Sequence, residues 1–127
     1  MAIQDMQQNE MMSHLTGALD RGEDIGHYGR LVFAMVARHF LDEEELVSRL
    51  AKNPGFDEVQ VRALVKQVQG RDYNPPKREK IMQFQREQGF PICPSNDPDG
   101  CNVYKNLQFP EGVYEKINRY YEQKATS

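Results

Sequence analysis

Residues 25–40, IGHYGRLVFAMVARHF, decide the fold of this chain because they hold its longest apolar run, Leu31 to Ala37. Glu23-Asp24 offers an N-cap for a helix here. From Tyr28 to Phe40 apolar side chains occupy almost every side of the helix cylinder, and such a helix is usually buried. The run is far shorter than the roughly 20 residues that cross a bilayer. The segment therefore predicts a central helix that other elements of a globular domain cover, and no contact with a membrane.

Two helices are predicted after the central one, the first capped by Asp42 and the second by Asp57. Asp42 precedes Glu43–Glu45, and acidic residues are favoured in the positive first turn of a helix. Asp57 precedes a valine-rich stretch that ends at Gly70. The valines also suit a strand, but a continuous strand of about thirteen residues would be unusually long. The prediction is a helix whose apolar positions are Val59, Val61, Leu64, Val65 and Val68.

The remaining segments complete an all-α fold. We expect a single domain over residues 1–127 with its core at about residues 11–121, built as a compact bundle of about six helices with a long ordered loop before the last one. Besides the helices already described, the predicted elements are a first helix within Ala2–Leu19, a fifth from about Pro76 to Gln88, the loop Phe90–Pro110 and a closing helix Glu111–Gln123.

Composition limits the classes of function. The 127 residues carry a formal net charge of −3, which argues against a protein that coats nucleic acid through bulk positive charge. Residues 1–5, MAIQD, lack the basic and then apolar order of a secretory signal, so we expect a cytoplasmic protein. No nucleophile elbow, glycine-rich phosphate loop or paired acidic motif is present, and we do not expect an enzyme.

A polar stripe interrupts the apolar central helix. His27, Arg30 and Arg38 follow spacings that place them on one helix face, with His27 in the first turn. Because the exposed backbone N–H groups of a helix start favour an anion, the stripe is a candidate phosphate site. The alternative is structural: the arginines pair with Glu23, Asp24 or Glu43–Glu45 and hold the helix in place.

Basic charge is concentrated in one part of the chain. Residues 62–86 contain seven basic residues against two acids, with Tyr73 and Phe84 nearby for base stacking. This combination predicts a small surface for single-stranded nucleic acid, while the alternative is an exposed basic helix face. The candidate nucleic-acid-binding residues are Arg71, Tyr73, Lys77, Arg78 and Lys80.

Two cysteines lie eight positions apart in the predicted loop. Zinc needs four ligands and an iron–sulfur cluster needs four cysteines, so Cys93 and Cys101 by themselves predict no metal site. Free thiols and a disulfide pair both remain open.

Four segments, read in order, resemble the C-terminal domain of the large subunit of archaeal and eukaryotic DNA primase. The first, IGHYGRLVFAMVARHF, is similar to the family's Leu-x-His-x-x-Arg helix start, with Ile25 in place of leucine. The others are an acidic helix with its proline and phenylalanine turn, a Tyr-x-Pro-Pro turn that leads to a Cys-Pro, and a last cysteine before a Pro and Tyr that open the closing helix. They read LDEEELVSRLAKNPGFDE, GRDYNPPKREKIMQFQREQGFPICP and CPSNDPDGCNVYKNLQFPEGVY.

The chain departs from this family at its iron–sulfur ligands. Cys93 and Cys101 match the third and fourth cluster cysteines, while the second falls at about Arg78 and the first, near Met11 to His14, is absent. The resemblance therefore implies a degenerate member without cofactor, in which the two cysteines are remnants of a cluster site or a disulfide pair.

The resemblance also implies a non-catalytic accessory role. Such a domain positions single-stranded template, DNA or RNA, and an initiating nucleoside triphosphate for a primase catalytic subunit or a primase-polymerase. The triphosphate contacts carry over to His27 and Arg30, with Arg38 added on helix spacing. The alternative is a helical protein-interaction adaptor that retains the fold without binding nucleic acid.

Overall fold

The structure, a computed structural model, describes residues 2–94 and 100–116, and these residues contain helices and no strand. The all-α prediction is confirmed. None of the helices in the described part of the chain is both long and apolar enough to span a membrane. The helices are α1 (Ala2–Met6), α2 (Glu10–Asp20), α3 (Gly26–Ala37), α4 (Glu43–Leu50), α5 (Glu58–Gly70), α6 (Arg78–Arg86) and α7 (Val103–Asn106), followed by a helical segment at residues 111–116.

The predicted single helix over Ala2–Leu19 is wrong, because the chain breaks it into α1 and α2. Asn9 is the reason: its side chain accepts a hydrogen bond from the Met12 backbone N–H at 3.0 Å and caps α2. Asn9 is itself fully buried, so this cap is satisfied inside the protein. The break allows Met6 on α1 and Met11 on α2 both to enter the core.

Helix α3 is the central element, as predicted, but it ends earlier than expected. It starts at Gly26, whose φ of +80° suits glycine, and a Cβ there would lie 2.6 Å from Gln88. Asp24 supports this start by accepting a hydrogen bond from the Gly26 N–H at 2.9 Å. At the other end the helix stops at Ala37, so Arg38 occupies the C-cap position. Helices α2, α4, α5 and α6 all contact α3.

Caps fix the next two helices. Asp42 accepts from the Glu45 N–H at the start of α4, and Asp57 forms a capping box with Gln60 at the start of α5, so both predicted caps are confirmed. One predicted core position on α5 is wrong: Val59 is 79% exposed. The buried face of α5 follows Val61, Val65 and Val68, and Val59 lies two residues from the first of them, on the opposite side of the helix.

The C-terminal third differs from its prediction in detail. Pro75 and Pro76 keep the chain extended, so α6 begins at Arg78 and not at Pro76. The predicted loop over residues 90–110 contains the short helix α7. Of the predicted closing helix, residues 111–116 are helical and the remainder lies outside the described residues. Four apolar residues of this segment are buried: Ile92, Val103, Leu107 and Phe109.

Replacing the α5 cap tests the local explanation of this helix. Asp57→Ala removes the side-chain acceptor of the capping box, the Asp57 Oδ1 that accepts from the Gln60 N–H at 2.9 Å. We expect the free energy of unfolding to fall by about 1 kcal/mol. The matched control Val59→Ala, at an exposed position in the same turn, should stay within about 0.5 kcal/mol of the unmodified protein. Denaturant titration followed by circular dichroism measures both, and equal losses would contradict the capping role.

Candidate nucleic-acid interface

An open cleft of about 550 Å³ lies beside the central helix, between α3, α5 and α6. Its floor is apolar because α3 leaves Leu31 and Met35 half-buried there. Lys77 and Lys80 are exposed at its edge. We call this feature the basic-rimmed cleft, and its lining residues are Leu31, Met35, Gln67, Tyr73, Asn74, Pro76, Lys77, Lys80 and Phe84.

A network of charges fixes the turn that forms one wall of the basic-rimmed cleft. Arg38 donates from Nη2 to Asp72 Oδ1 and to the Tyr73 carbonyl, both at 2.8 Å. Lys116 Nζ lies 2.7 Å from Asp72 Oδ2. These bonds hold Asp72 at a φ of 50°, in the left-handed region that aspartate tolerates better than most residues. The turn therefore presents Tyr73 from a backbone anchored to the end of α3.

The aromatic rings of the cleft are already packed on one side. Phe84 stacks on Tyr28 with ring centroids 4.7 Å apart, and Lys80 Nζ lies 5.2 Å from the Phe84 centroid. The Tyr73 hydroxyl accepts a hydrogen bond from Arg71 Nη1 at 3.3 Å. Hydrogen bonding to Gln67, and then to Arg71, lowers the pKa of Tyr73. Tyr73 is thus oriented through its hydroxyl group.

The structure brings together three of the five candidate nucleic-acid-binding residues, since Tyr73, Lys77 and Lys80 all line the cleft. Arg71 reaches it only through the Tyr73 hydroxyl. Arg78 points elsewhere: its Nε is buried with no hydrogen-bond partner, and its positive charge acts on the Cys101 thiol.

Sequence reasoning missed the apolar floor and the two amides of the cleft. Leu31 and Met35 were assigned to the buried core of the central helix, and the fact that they are only half-buried depends on where α5 and α6 pack. Gln67 lies on α5 and Asn74 in the turn that follows it, so no periodic pattern within one element joins them. Asn74 Oδ1 is buried and has no hydrogen-bond partner. The Asn-Pro-Pro sequence that follows Tyr73 was the available signal, because it predicts a rigid turn.

The predicted phosphate stripe does not form one site. His27 and Arg38 lie at opposite ends of α3, about 16 Å apart along its axis. Arg30 Nη1 lies 3.2 Å from Asp24 Oδ1, and the Arg30 guanidinium sits 4.3 Å from the centre of the Phe56 ring. Only 17% of the Arg30 side chain and 12% of the Arg38 side chain are exposed.

Arg30 and Arg38 both form ion pairs, which was the alternative considered for the stripe. Asp24 was among the expected partners of Arg30, whereas Asp72, the partner of Arg38, was not. The cluster Glu43–Glu45 was also considered as a partner of these two arginines. Two of its residues pair with other cations: Glu44 with Arg62 at 3.1 Å and Glu45 with Arg49 at 3.5 Å. His27 is exposed, with its ring edge against Tyr28. The stripe therefore anchors the two ends of α3.

The two cysteines are buried thiols that are not joined by a disulfide, and their side chains are hydrogen-bonded to each other. Within residues 2–94 and 100–116, no group of three or more His, Cys, Asp or Glu side chains is arranged to hold a metal ion.

No protein-family model, curated protein or solved structure matches this chain. The likeness to the primase large subunit therefore rests on the four sequence segments alone.

The Asp72 network predicts a pH-dependent stability. Hydrogen bonds from Lys116 and Arg38 lower the pKa of Asp72 from 3.8 to about 2. A lowered folded-state pKa gives stability that is present above the unfolded-state value and lost as the pH falls through the folded-state value. Asp72→Asn keeps a residue that tolerates positive φ but removes the charge, so we expect it to be less stable at neutral pH.

The difference in unfolding free energy between the two proteins should narrow as the pH falls from about 4 to about 2. Urea unfolding at a series of pH values measures it, and an NMR titration of the carboxyl carbon gives the pKa directly. A carboxyl pKa at its ordinary value, or a difference that does not change with pH, would contradict this assignment.

Proposed function

We propose that this chain is a non-catalytic domain that binds single-stranded nucleic acid in the basic-rimmed cleft. The observation that carries the proposal is that Tyr73, Lys77 and Lys80, three residues chosen from the sequence for this role, line one cleft with an apolar floor. Single-strand binding surfaces combine these two elements: positive charge along the backbone and apolar or aromatic surface for the bases.

Each part of the cleft has a role in this proposal. The ammonium groups of Lys77 and Lys80 contact phosphates at the rim. Such contacts replace salt cations on the strand, so the affinity falls as the salt concentration rises. An unpaired base lies on the floor against the Tyr73 ring, and the Gln67 and Asn74 amides offer hydrogen bonds to its edge. A duplex hides the faces of its bases, so the cleft suits a single strand.

The primase-accessory role is the wider form of this proposal, and it rests on the sequence resemblance. In it, the domain presents template to a primase catalytic subunit or a primase-polymerase in the cytoplasm. The initiating triphosphate would bind at His27 and Arg30, where it must displace Asp24 from the Arg30 guanidinium. Arg38 is left out of that site, because it is committed to Asp72 and to the Tyr73 carbonyl.

A protein-interaction adaptor is the second candidate, and the paired state of both stripe arginines favours it. With Arg30 and Arg38 tied to carboxylates, the stripe stabilises the fold without a ligand. The same cleft would then accept an acidic amphipathic helix, whose apolar face covers Leu31 and Met35. The two candidates differ in whether a nucleotide strand alone binds.

The rim lysines provide the first test. Lys77→Ala with Lys80→Ala should weaken binding of a labelled single strand at low salt by at least about tenfold, because two phosphate contacts are lost. The slope of log affinity against log salt should fall by about 1.4, at roughly 0.7 for each phosphate. Fluorescence anisotropy over a salt series measures both quantities.

A matched control removes the same two positive charges from a part of the surface outside the cleft. Lys52→Ala with Lys66→Ala removes two exposed lysines that do not line the cleft, and it should leave affinity nearly unchanged. No binding by the unmodified protein at high micromolar concentration would reject nucleic-acid binding and favour the adaptor. Equal losses in the two double variants would reject the cleft as the site.

The stacking role of Tyr73 provides the second test. Tyr73→Leu keeps apolar surface but removes the ring, so affinity should fall by an amount equivalent to about 1–3 kcal/mol per stacked base. Tyr73→Phe keeps the ring and loses only the hydroxyl contacts to Gln67 and Arg71, and it should bind nearly as well as the unmodified protein. Anisotropy with an oligonucleotide and with its abasic counterpart measures the effect. A Leu variant that binds as tightly as the Phe variant would contradict stacking.

A further inference from the structure

The buried thiol pair has no part in the proposed function. Cys93 and Cys101 both lie in the segment that connects α6 to α7. Cys93 is 7% exposed and Cys101 is fully buried. They are not joined by a disulfide, and a side-chain hydrogen bond connects them. Two thiols that touch inside a protein are placed for a reaction with each other.

The backbone holds both cysteines in this arrangement. The Cys93 N–H donates to the Gln85 side-chain oxygen on α6 at 2.6 Å. On the other side, the Gly100 carbonyl accepts from the Met11 N–H at the start of α2, at 3.0 Å. Each cysteine is thus anchored to a different helix through itself or its neighbour.

A metal ion is the competing use of two thiols, and the surroundings do not favour it. Zinc sites take four protein ligands, or three and a water. No third His, Cys, Asp or Glu in the described ranges completes such a group around the pair. The nearby charged side chain is Arg78, a cation, whose Nε is buried without a hydrogen-bond partner. A cation at this place opposes the binding of a metal cation, although its charge lowers the pKa of Cys101 by less than burial raises it.

We propose that Cys93 and Cys101 form a reversible intramolecular disulfide when the chain meets a peroxide. The Cys93 thiolate attacks one peroxide oxygen, so that an S–O bond forms and the O–O bond breaks, which gives a sulfenic acid and, after protonation, water. The Cys101 sulfur then attacks the Cys93 sulfur, the S–S bond forms, and the hydroxyl leaves with the Cys101 proton as a second water. Two thiols and one hydrogen peroxide give one disulfide and two waters.

Burial decides the order of the two steps. Cys93 retains a small exposed surface and meets the oxidant first, while Cys101 is reached only from Cys93. Burial, followed by the hydrogen bond with Cys93, raises the pKa of Cys101 to about 12. Cys101 therefore stays protonated until the sulfenic acid forms beside it, which makes it the resolving residue.

The bond would join the end of the α6 region to the start of α7. Cross-links stabilise a fold mainly by restricting the unfolded chain, and this one closes a short loop. The oxidised chain should be the more stable form.

Intact mass spectrometry and peptide mapping test the proposal on the full chain. Hydrogen peroxide in slight excess, without reductant, should remove two hydrogen atoms from the mass and link the peptides that contain Cys93 and Cys101, and dithiothreitol should reverse both changes. The melting temperature of the oxidised chain should exceed that of the reduced chain. Only intermolecular dimers, a chain that stays reduced, or an oxidised chain that melts lower would overturn the proposal.

Single substitutions test the order of the steps. Cys101→Ser leaves Cys93 without its resolving partner, so peroxide should give a sulfenic acid that dimedone traps on Cys93. Cys93→Ser leaves only the fully buried thiol, which should react at least about tenfold more slowly than Cys93 does in Cys101→Ser. Equal rates in the two variants, or a faster Cys101, would overturn the assignment. Strand binding plays no part in these readouts, so they are independent of the proposed function.

Discussion

Enclosure of α3 is the constraint on which the rest of the structure depends. A helix that is apolar on nearly every side must be covered, and α2, α4, α5 and α6 all contact it. The two arginines carried by this enclosed element therefore lose most of their hydration, which is costly for a charge without a partner. Asp24 compensates Arg30 at one end, and Asp72 compensates Arg38 at the other. The ion pairs Arg30–Asp24 and Arg38–Asp72 are thus a direct result of the burial of the central helix.

The basic-rimmed cleft is a second result of the same packing. Where α5 and α6 separate, part of α3 remains uncovered, and Leu31 and Met35 form an apolar floor. The Arg38 network holds the turn that presents Tyr73 at the edge of this floor. The anchoring of α3 and the shape of the candidate interface are therefore coupled: a charge that was first considered a ligand contact positions the surface that we propose to bind the strand.

The far side of α6 shows how one basic segment serves different purposes. Lys80 faces the cleft, whereas Arg78 lies by the buried thiols. Two residues that are two positions apart lie on opposite sides of a helix. The basic residues of this one segment therefore face both the candidate interface and the buried thiols. In the proposed scheme the interior part supports a redox-sensitive pair, and the exposed part contacts phosphate.

The sequence by itself determined the elements whose signals are local. The all-α class, the central position of α3, and the Asp42 and Asp57 caps follow from apolar periodicity and from hydrogen bonds that span three residues. The Asn9 cap was also a local signal, but it was overlooked in a stretch that otherwise reads as one helix.

Only the tertiary structure decided the partners of charged and reactive side chains. Arg38 pairs with Asp72, 34 positions away. Bonds from the Cys93 N–H to α6 and from α2 to the Gly100 carbonyl hold the segment that carries the two cysteines. Likewise Val59 has the composition of a core residue, and its exposure depends on which face of α5 meets α3. Such pairings depend on the distances between packed helices, and no local pattern of residues encodes those distances.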